Sequence, residues 1–259
     1  MESGTGREKS SVGCGADAEK GCSIDMNIMI DFVLCILAAA ALAISARKNT
    51  IITVTRCLAL AISVTAATFI AGWAMVPLSE AIPNPIYGSA VNDMADLVSA
   101  PYYATADETA DSLSMEEIRK SEDFDALLEA YGTSRKEINA QIEGEQTVRQ
   151  TATWMAKPVW QIIVKNVVLI VGTVLLYLIL IAVLKAVLYR FFPKDVKRKI
   201  APLTFLFAGL SAVIIVSYLA IPVMESFRPF SMGVMKSVHW DSACERSVIY
   251  GVFRMLYIF

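Results

Sequence analysis

NVVLIVGTVLLYLILIAVL, running from Asn166 to Leu184, decides the class of fold. It carries no charged side chain, and as a helix rising 1.5 Å per residue it covers a bilayer core of about 30 Å. A half-buried soluble helix would interleave polar residues every third or fourth position, and this run does not. Three further runs read the same way, roughly Ile28 to Ser45, Cys57 to Leu78 and Ala201 to Met224. The sequence therefore predicts an all-α integral membrane protein with four transmembrane helices. The divisions are a polar, disordered tail (1–25), helices 1 and 2 with a short basic loop (26–78), an acidic helical extramembrane insertion (79–160), helices 3 and 4 with a second basic loop (161–225), and a C-terminal interfacial segment (226–259). Composition agrees, since 56% of the residues are apolar, more than a soluble domain needs for its core.

The formal net charge is only −2, but two local imbalances cancel to give it. Acidic residues outnumber basic ones between Ser79 and Trp160. The short connections have the opposite sign: Arg47, Lys48 and Arg56 flank the first, and Lys185, Arg190, Lys194, Lys197, Arg198 and Lys199 fill the second. Short loops rich in Lys and Arg are retained in the cytoplasm, so these residues act as topology determinants and place the insertion and both termini outside. The same rule accounts for the basic runs without nucleic acid. Met26, immediately ahead of the first run, reads as a plausible initiator. Ala41-Leu42-Ala43 resembles a cleavage site, but only Asp31 stands where a signal peptide needs positive charge.

Ala59, Ser63, Ala67 and Ala71 recur every fourth residue, which puts four small side chains in one stripe of the second span. That is the usual surface for close helix approach, with a narrow pore as the alternative. Ionisable groups within spans point to transport or proton relay. Here Asp31, one turn into the first span, and Arg56, opening the second, are the possible transport residues. The structural alternative for Asp31 is a carboxylate held at the N-terminal end of a helix by its dipole.

Within the insertion, Pro83-Asn84-Pro85 breaks the chain after the second span. Helices follow over Val91 to Val98 and over Asp123 to Tyr131, the latter with Phe124, Leu127, Leu128 and Tyr131 on one face and Gly132 as its C-cap. Ser134 and Glu137 form a capping-box pattern, predicting a third helix toward Met155 that stops near Pro158. Packing of these helices on one another, on the membrane surface and on a partner are all open. Val248 to Phe259 is too short to span, and Ile249, Val252, Phe253 and Leu256 suit it to the interface, with a partner contact as the alternative.

His239, Asp241, Ser242, Cys244 and Glu245 bring nucleophile, base and acid types together, but triads are built in space and not from sequence neighbours. Phosphate loops, H-E-x-x-H and G-x-S-x-G are absent, and the five cysteines show no C-x-x-C spacing. No catalytic, cofactor-binding or metal-binding set is assigned. The chain reads as a non-enzyme.

The Met29-Ile30-Asp31-Phe32 entry, the basic turn Arg47-Lys48-Asn49-Thr50, a second span closed by Pro77-Leu78, and two more spans joined by a short basic connection resemble the colicin V production (CvpA) family. Phe124 to Gln141 is similar to the helical insertion of its longer members. The glycine-basic-glycine turn usual after the first span in that family is replaced here by Ala46-Arg47-Lys48-Asn49. The resemblance implies a bacterial inner-membrane protein that supports toxin production and export or envelope homeostasis. Its expected partners are the bilayer, a membrane or extracytoplasmic protein, or a second copy of the chain. A small transporter or channel subunit, and a scaffold working through the acidic insertion, are the alternative functions.

Overall fold

The computed structural model describes residues 16–142, 146–191, 200–227 and 240–257, with side chains from Met26 onward except at 227 and 240–242. The described backbone is mostly helical, with no strand among the described residues. Four helices are long and apolar enough to cross a membrane: α1 (Ala16–Ala46, apolar from Met26), α2 (Thr50–Ala81), α8 (Val148–Phe191), and α9 (Ala201–Ile215) continued to Ser226. Between α2 and α8 lie five short helices: α3 (Ile86–Leu97), α4 (Ala106–Ser112), α5 (Met115–Lys120), α6 (Phe124–Ala130) and α7 (Arg135–Gln141). After α9 come a π-helical turn (Val216–Ala220), α10 (Ile221–Phe227), α11 (Trp240–Arg246) and α12 (Val248–Tyr257).

Several boundaries differ from expectation. Helix α1 begins at Ala16, inside the tail expected to be disordered. Helix α2 passes through Pro77 to Ala81. The third insertion helix ends at Gln141, and α8 starts afresh at Val148 and runs unbroken through Pro158 for 44 residues. Proline removes one helical hydrogen bond and clashes with the preceding turn. Here the surroundings outweigh that cost. Met155, Ala156 and Val159 are buried on either side of Pro158, and Trp160 Nε1 donates to the Ser79 carbonyl at 3.2 Å, joining α8 to the end of α2.

The insertion has its own core. Ile86, Val91 and Met94 of α3, Ile118 of α5, Phe124 and Leu128 of α6 and Ile138 of α7 pack with Val148, Met155 and Val159 of α8. Thin apolar stripes thus pack on one another and on the first half of α8. Gly132 takes φ +70° after α6, as a C-cap glycine does, and Ser134 accepts from Glu137 N–H at 3.3 Å to start α7. The core also holds one polar pair, with the Tyr131 hydroxyl donating to Asp93 at 2.7 Å.

Tyr87 donates to Asp107 at 2.9 Å, and Arg149 ties Asp107 (3.4 Å) to Asp111 (2.9 Å). Burial, then the Asp107 bond, push the Tyr87 phenol up to about 12 from the usual 10. Because the folded value is raised, its contribution is whole below about pH 10 and is lost as pH rises toward 12. In ultraviolet difference titrations, wild type minus Tyr87→Phe should show a phenol ionising about two units late. A transition near 10 would remove the argument.

Along the spans, α1 packs on α9, α9 on α2, and α2 most extensively on α8. The outward faces carry exposed Phe32, Phe69, Leu178, Ile179 and Phe205, and Trp73 is 83% exposed near the insertion end of α2. The opposite, loop end is pinned by Thr50. Its hydroxyl accepts from Ile200 N–H at 2.6 Å and lies 2.7 Å from Thr204 Oγ1, fastening the start of α2 to the start of α9.

Candidate functional site

Spans α1 and α8 make no extensive contact with each other, and at the insertion end α12 joins them. Asp31 is the first attachment. Its Oδ1 accepts from Ile249 N–H at 3.1 Å and from the Ser247 hydroxyl, while Ser247 Oγ accepts from Tyr250 N–H at 3.0 Å. Asp31 and Ser247 together satisfy the exposed amides that begin α12 and set negative charge against the positive end of its dipole. The carboxylate does sit at a helix N-terminus, but on α12, from across the bundle, and not on its own helix. Tyr250 donates to Glu225 of α10, and Arg254 pairs with the same carboxylate at 3.0 Å. Helix α12 therefore docks into the bundle through one face, with Tyr250 buried, and leaves Val248, Val252 and Met255 exposed on the other. The segment read as interfacial is thus also fastened to the bundle as a clasp, with an apolar face left on its outer side.

Asn166 is the second attachment. It is 1% exposed on α8, accepts from the Tyr257 hydroxyl at 2.9 Å, and donates to the Pro222 carbonyl (3.2 Å) and to Ser226 Oγ (3.1 Å). A π-turn lies just ahead of this contact. Pro222 cannot donate to the carbonyl one helical turn back, and the helix widens just ahead of it, with Ile221 N–H bonded to the Val216 carbonyl five residues earlier. Sequence reasoning passed over Asn166, Glu225, Tyr250 and Tyr257. The signals available were a lone amide at the head of the third run and a proline inside the fourth.

A cavity of about 390 Å³ opens where α1 and α8 diverge, lined by Leu37, Ala41 and Ile44 of α1, Arg56 and Leu60 of α2, and Thr173, Val174 and Tyr177 of α8, with Ser211, Ile215 and Leu219 behind. Leu37, Ile44 and Val174 are also exposed on the outer surface, so the cavity faces sideways. Arg56 Nε and Thr173 Oγ1 are buried there without hydrogen-bond partners among the described residues. Ser211 Oγ, by contrast, donates to the Phe207 carbonyl at 2.8 Å.

Asp31 and Arg56, the two possible transport residues, do not meet. Asp31 lies at the insertion end under α12, whereas Arg56 is in the second turn of α2 at the loop end. Ala59, Ser63, Ala67 and Ala71 are buried on α2, and a Cβ on Gly172 of α8 would touch Ala67 Cβ at 3.4 Å. Arg47 and Lys48 are exposed in the α1–α2 turn, with Lys185 and Arg190 on the last turns of α8. Lys194, Lys197, Arg198 and Lys199 fall outside the described residues, as does His239. Cys244 is buried beside Ile30 and Leu34. No cluster of metal-ligating side chains occurs among the described residues.

Fold and site together define a chain, helical with no strand among its described residues, that has four helices long and apolar enough to cross a membrane, a compact helical insertion and a C-terminal clasp. No family model, curated protein or solved structure matches it.

Proposed function

We propose that the chain is a non-enzymatic, multi-pass protein of a bacterial inner membrane, with its insertion and termini outside. It works as a scaffold that holds the acidic insertion for a membrane or extracytoplasmic protein partner. The resemblance to the colicin V production family assigns that work to toxin production and export or envelope homeostasis. The observation that carries the scaffold reading is the continuity of α8, whose first half belongs to the insertion core and whose second half is apolar enough to cross a membrane. A domain needing only a tether would do with a flexible linker. One helix shared between both parts fixes the orientation of the insertion to the bundle. A small transporter or channel subunit is the second reading, favoured by the position of Arg56 in a lateral cavity.

Two experiments separate these possibilities. Single cysteines, Ser114→Cys and Lys48→Cys in a cysteine-free background, are labelled in intact cells with a membrane-impermeant thiol reagent. Labelling at 114 alone is expected, and labelling at 48 alone reverses the orientation. A four-glycine insertion after Trp160 then uncouples the two halves of α8. The scaffold reading expects envelope integrity or toxin release to fall to the level of the deletion strain while Arg56→Gln retains it. The reverse pattern would support transport.

A further inference from the structure

We propose that the lateral cavity between α1 and α8 is a binding site for one anionic phospholipid, with its phosphate on Arg56, an ester carbonyl accepting from Thr173 Oγ1, and an acyl chain along Leu37, Ala41, Leu60 and Val174. The proposal rests on the bilayer placement of the spans but not on the scaffold role.

Three observations carry it. The first is an uncompensated cation. Arg56 has no carboxylate partner among the described residues, and no acidic side chain lines the cavity. Guanidinium groups within spans are costly and are normally paired, and the fork geometry suits phosphate. The second is Thr173, 1% exposed with an idle hydroxyl. Helical threonines ordinarily bond back to the carbonyl four residues earlier, as Thr68 does to Val64 at 2.9 Å. An unused donor on a cavity wall lacks its acceptor, and a lipid ester supplies one. The third is shape. The lining residues run from Ser45 and Arg56 near the loop end to Leu37 and Leu219 deeper in the bundle, so the cavity is elongated along the helices with its charge at the end nearer the loops. That is the polarity of an anionic lipid in the leaflet on the loop side. The volume lies within the range of small-molecule sites.

Closure at the other end agrees. Ile215 and Leu219 at the π-turn form the deep wall, and the α12 clasp joins α1 to α8 beyond it. The site is thus open to a bilayer from the side and shut toward the insertion.

The test uses full-length protein purified in mild detergent and titrated with phosphatidylglycerol, with phosphatidylcholine and inorganic phosphate as comparisons, and bound lipid counted by native mass spectrometry. Wild type should hold one phosphatidylglycerol, preferring it over phosphatidylcholine at least tenfold. Arg56→Gln should remove that preference, Arg56→Lys should keep much of it, and Thr173→Val should weaken retention several-fold. Val174→Trp, which fills the cavity without touching charge, should abolish occupancy of both lipids. Each variant is first checked for membrane extraction and a monodisperse elution profile, so that failure of bilayer placement shows there and not in the lipid count. Equal retention of the two lipids by wild type, unchanged retention in Arg56→Gln, or full displacement by millimolar phosphate would each overturn the proposal.

Discussion

Asp31→Ala is expected to release α12 from the bundle. The carboxylate accepts one backbone amide and one hydroxyl at the start of that helix, and both lose their partner on truncation. Hydrogen bonds to a charged group contribute about 1.5–3 kcal/mol each, and the stranded amide adds a desolvation cost. The clasp should therefore loosen by about 3–6 kcal/mol, which at about 1.4 kcal/mol per decade is roughly two to four orders of magnitude in its local opening. Cys244 reports the opening, since it is buried against α1 beside Leu34. With the other four cysteines replaced, its reaction rate with a small maleimide should rise by that factor in Asp31→Ala. Asp31→Asn keeps an acceptor oxygen but loses the charge, and should fall between the two. An unchanged rate would mean that the docked apolar face alone holds α12. The transport reading of Asp31 makes a different forecast, in which the substitution alters flux and leaves Cys244 protected.

The contrast between Asp31 and the spans shows what the residues could tell. Long apolar runs specify their own backbone, because an unpaired amide in hydrocarbon is so costly that helix is the only local answer. The four long apolar helices, the break at Pro83-Asn84-Pro85, the helix over Phe124 to Ala130 and its glycine cap were all legible. Each depends on residues within a turn or two. Pro158 was misread because local rules count the hydrogen bond it removes, whereas Met155, Ala156 and Val159 bury side chains contributed by helices up to about seventy residues away. Asp31 and Asn166 were visible as polar residues in apolar runs, but their partners lie more than two hundred and about ninety positions on, at Ile249 and Tyr257. No periodicity encodes such a pairing. Arg56 was flagged for its charge, yet the sideways cavity around it arises only where α1, α2, α8 and α9 come together in the fold.

Gly172→Leu should be among the most damaging single changes in the spans. Helices α2 and α8 are in contact where Ala67 faces Gly172, and even a methyl group on Gly172 would sit 3.4 Å from Ala67 Cβ and 3.9 Å from its Cα. Gly172→Ala therefore makes an ordinary contact, and should be neutral or slightly stabilising because alanine also favours the helix by roughly 1 kcal/mol. Leucine adds three carbons where the facing backbone leaves no room, and overpacking of this kind costs about 1–3 kcal/mol or more. In lipid there is little hydrophobic drive to hold helices that no longer fit, so the cost falls directly on association. Gly72→Leu is the internal control, since Gly72 is exposed and a Cβ there meets nothing within 4 Å. Titrating each variant with sodium dodecyl sulfate and following far-ultraviolet and tryptophan signals should give an early transition for Gly172→Leu, with Gly172→Ala and Gly72→Leu near wild type. The same variants decide between packing and a pore as the purpose of the Ala59, Ser63, Ala67 and Ala71 stripe. If the stripe lined a water-filled path, leucine at 172 would narrow it and change permeation while the detergent midpoint stayed put. Tight helix contact requires the opposite, a shifted midpoint in a protein with no ion flux to lose.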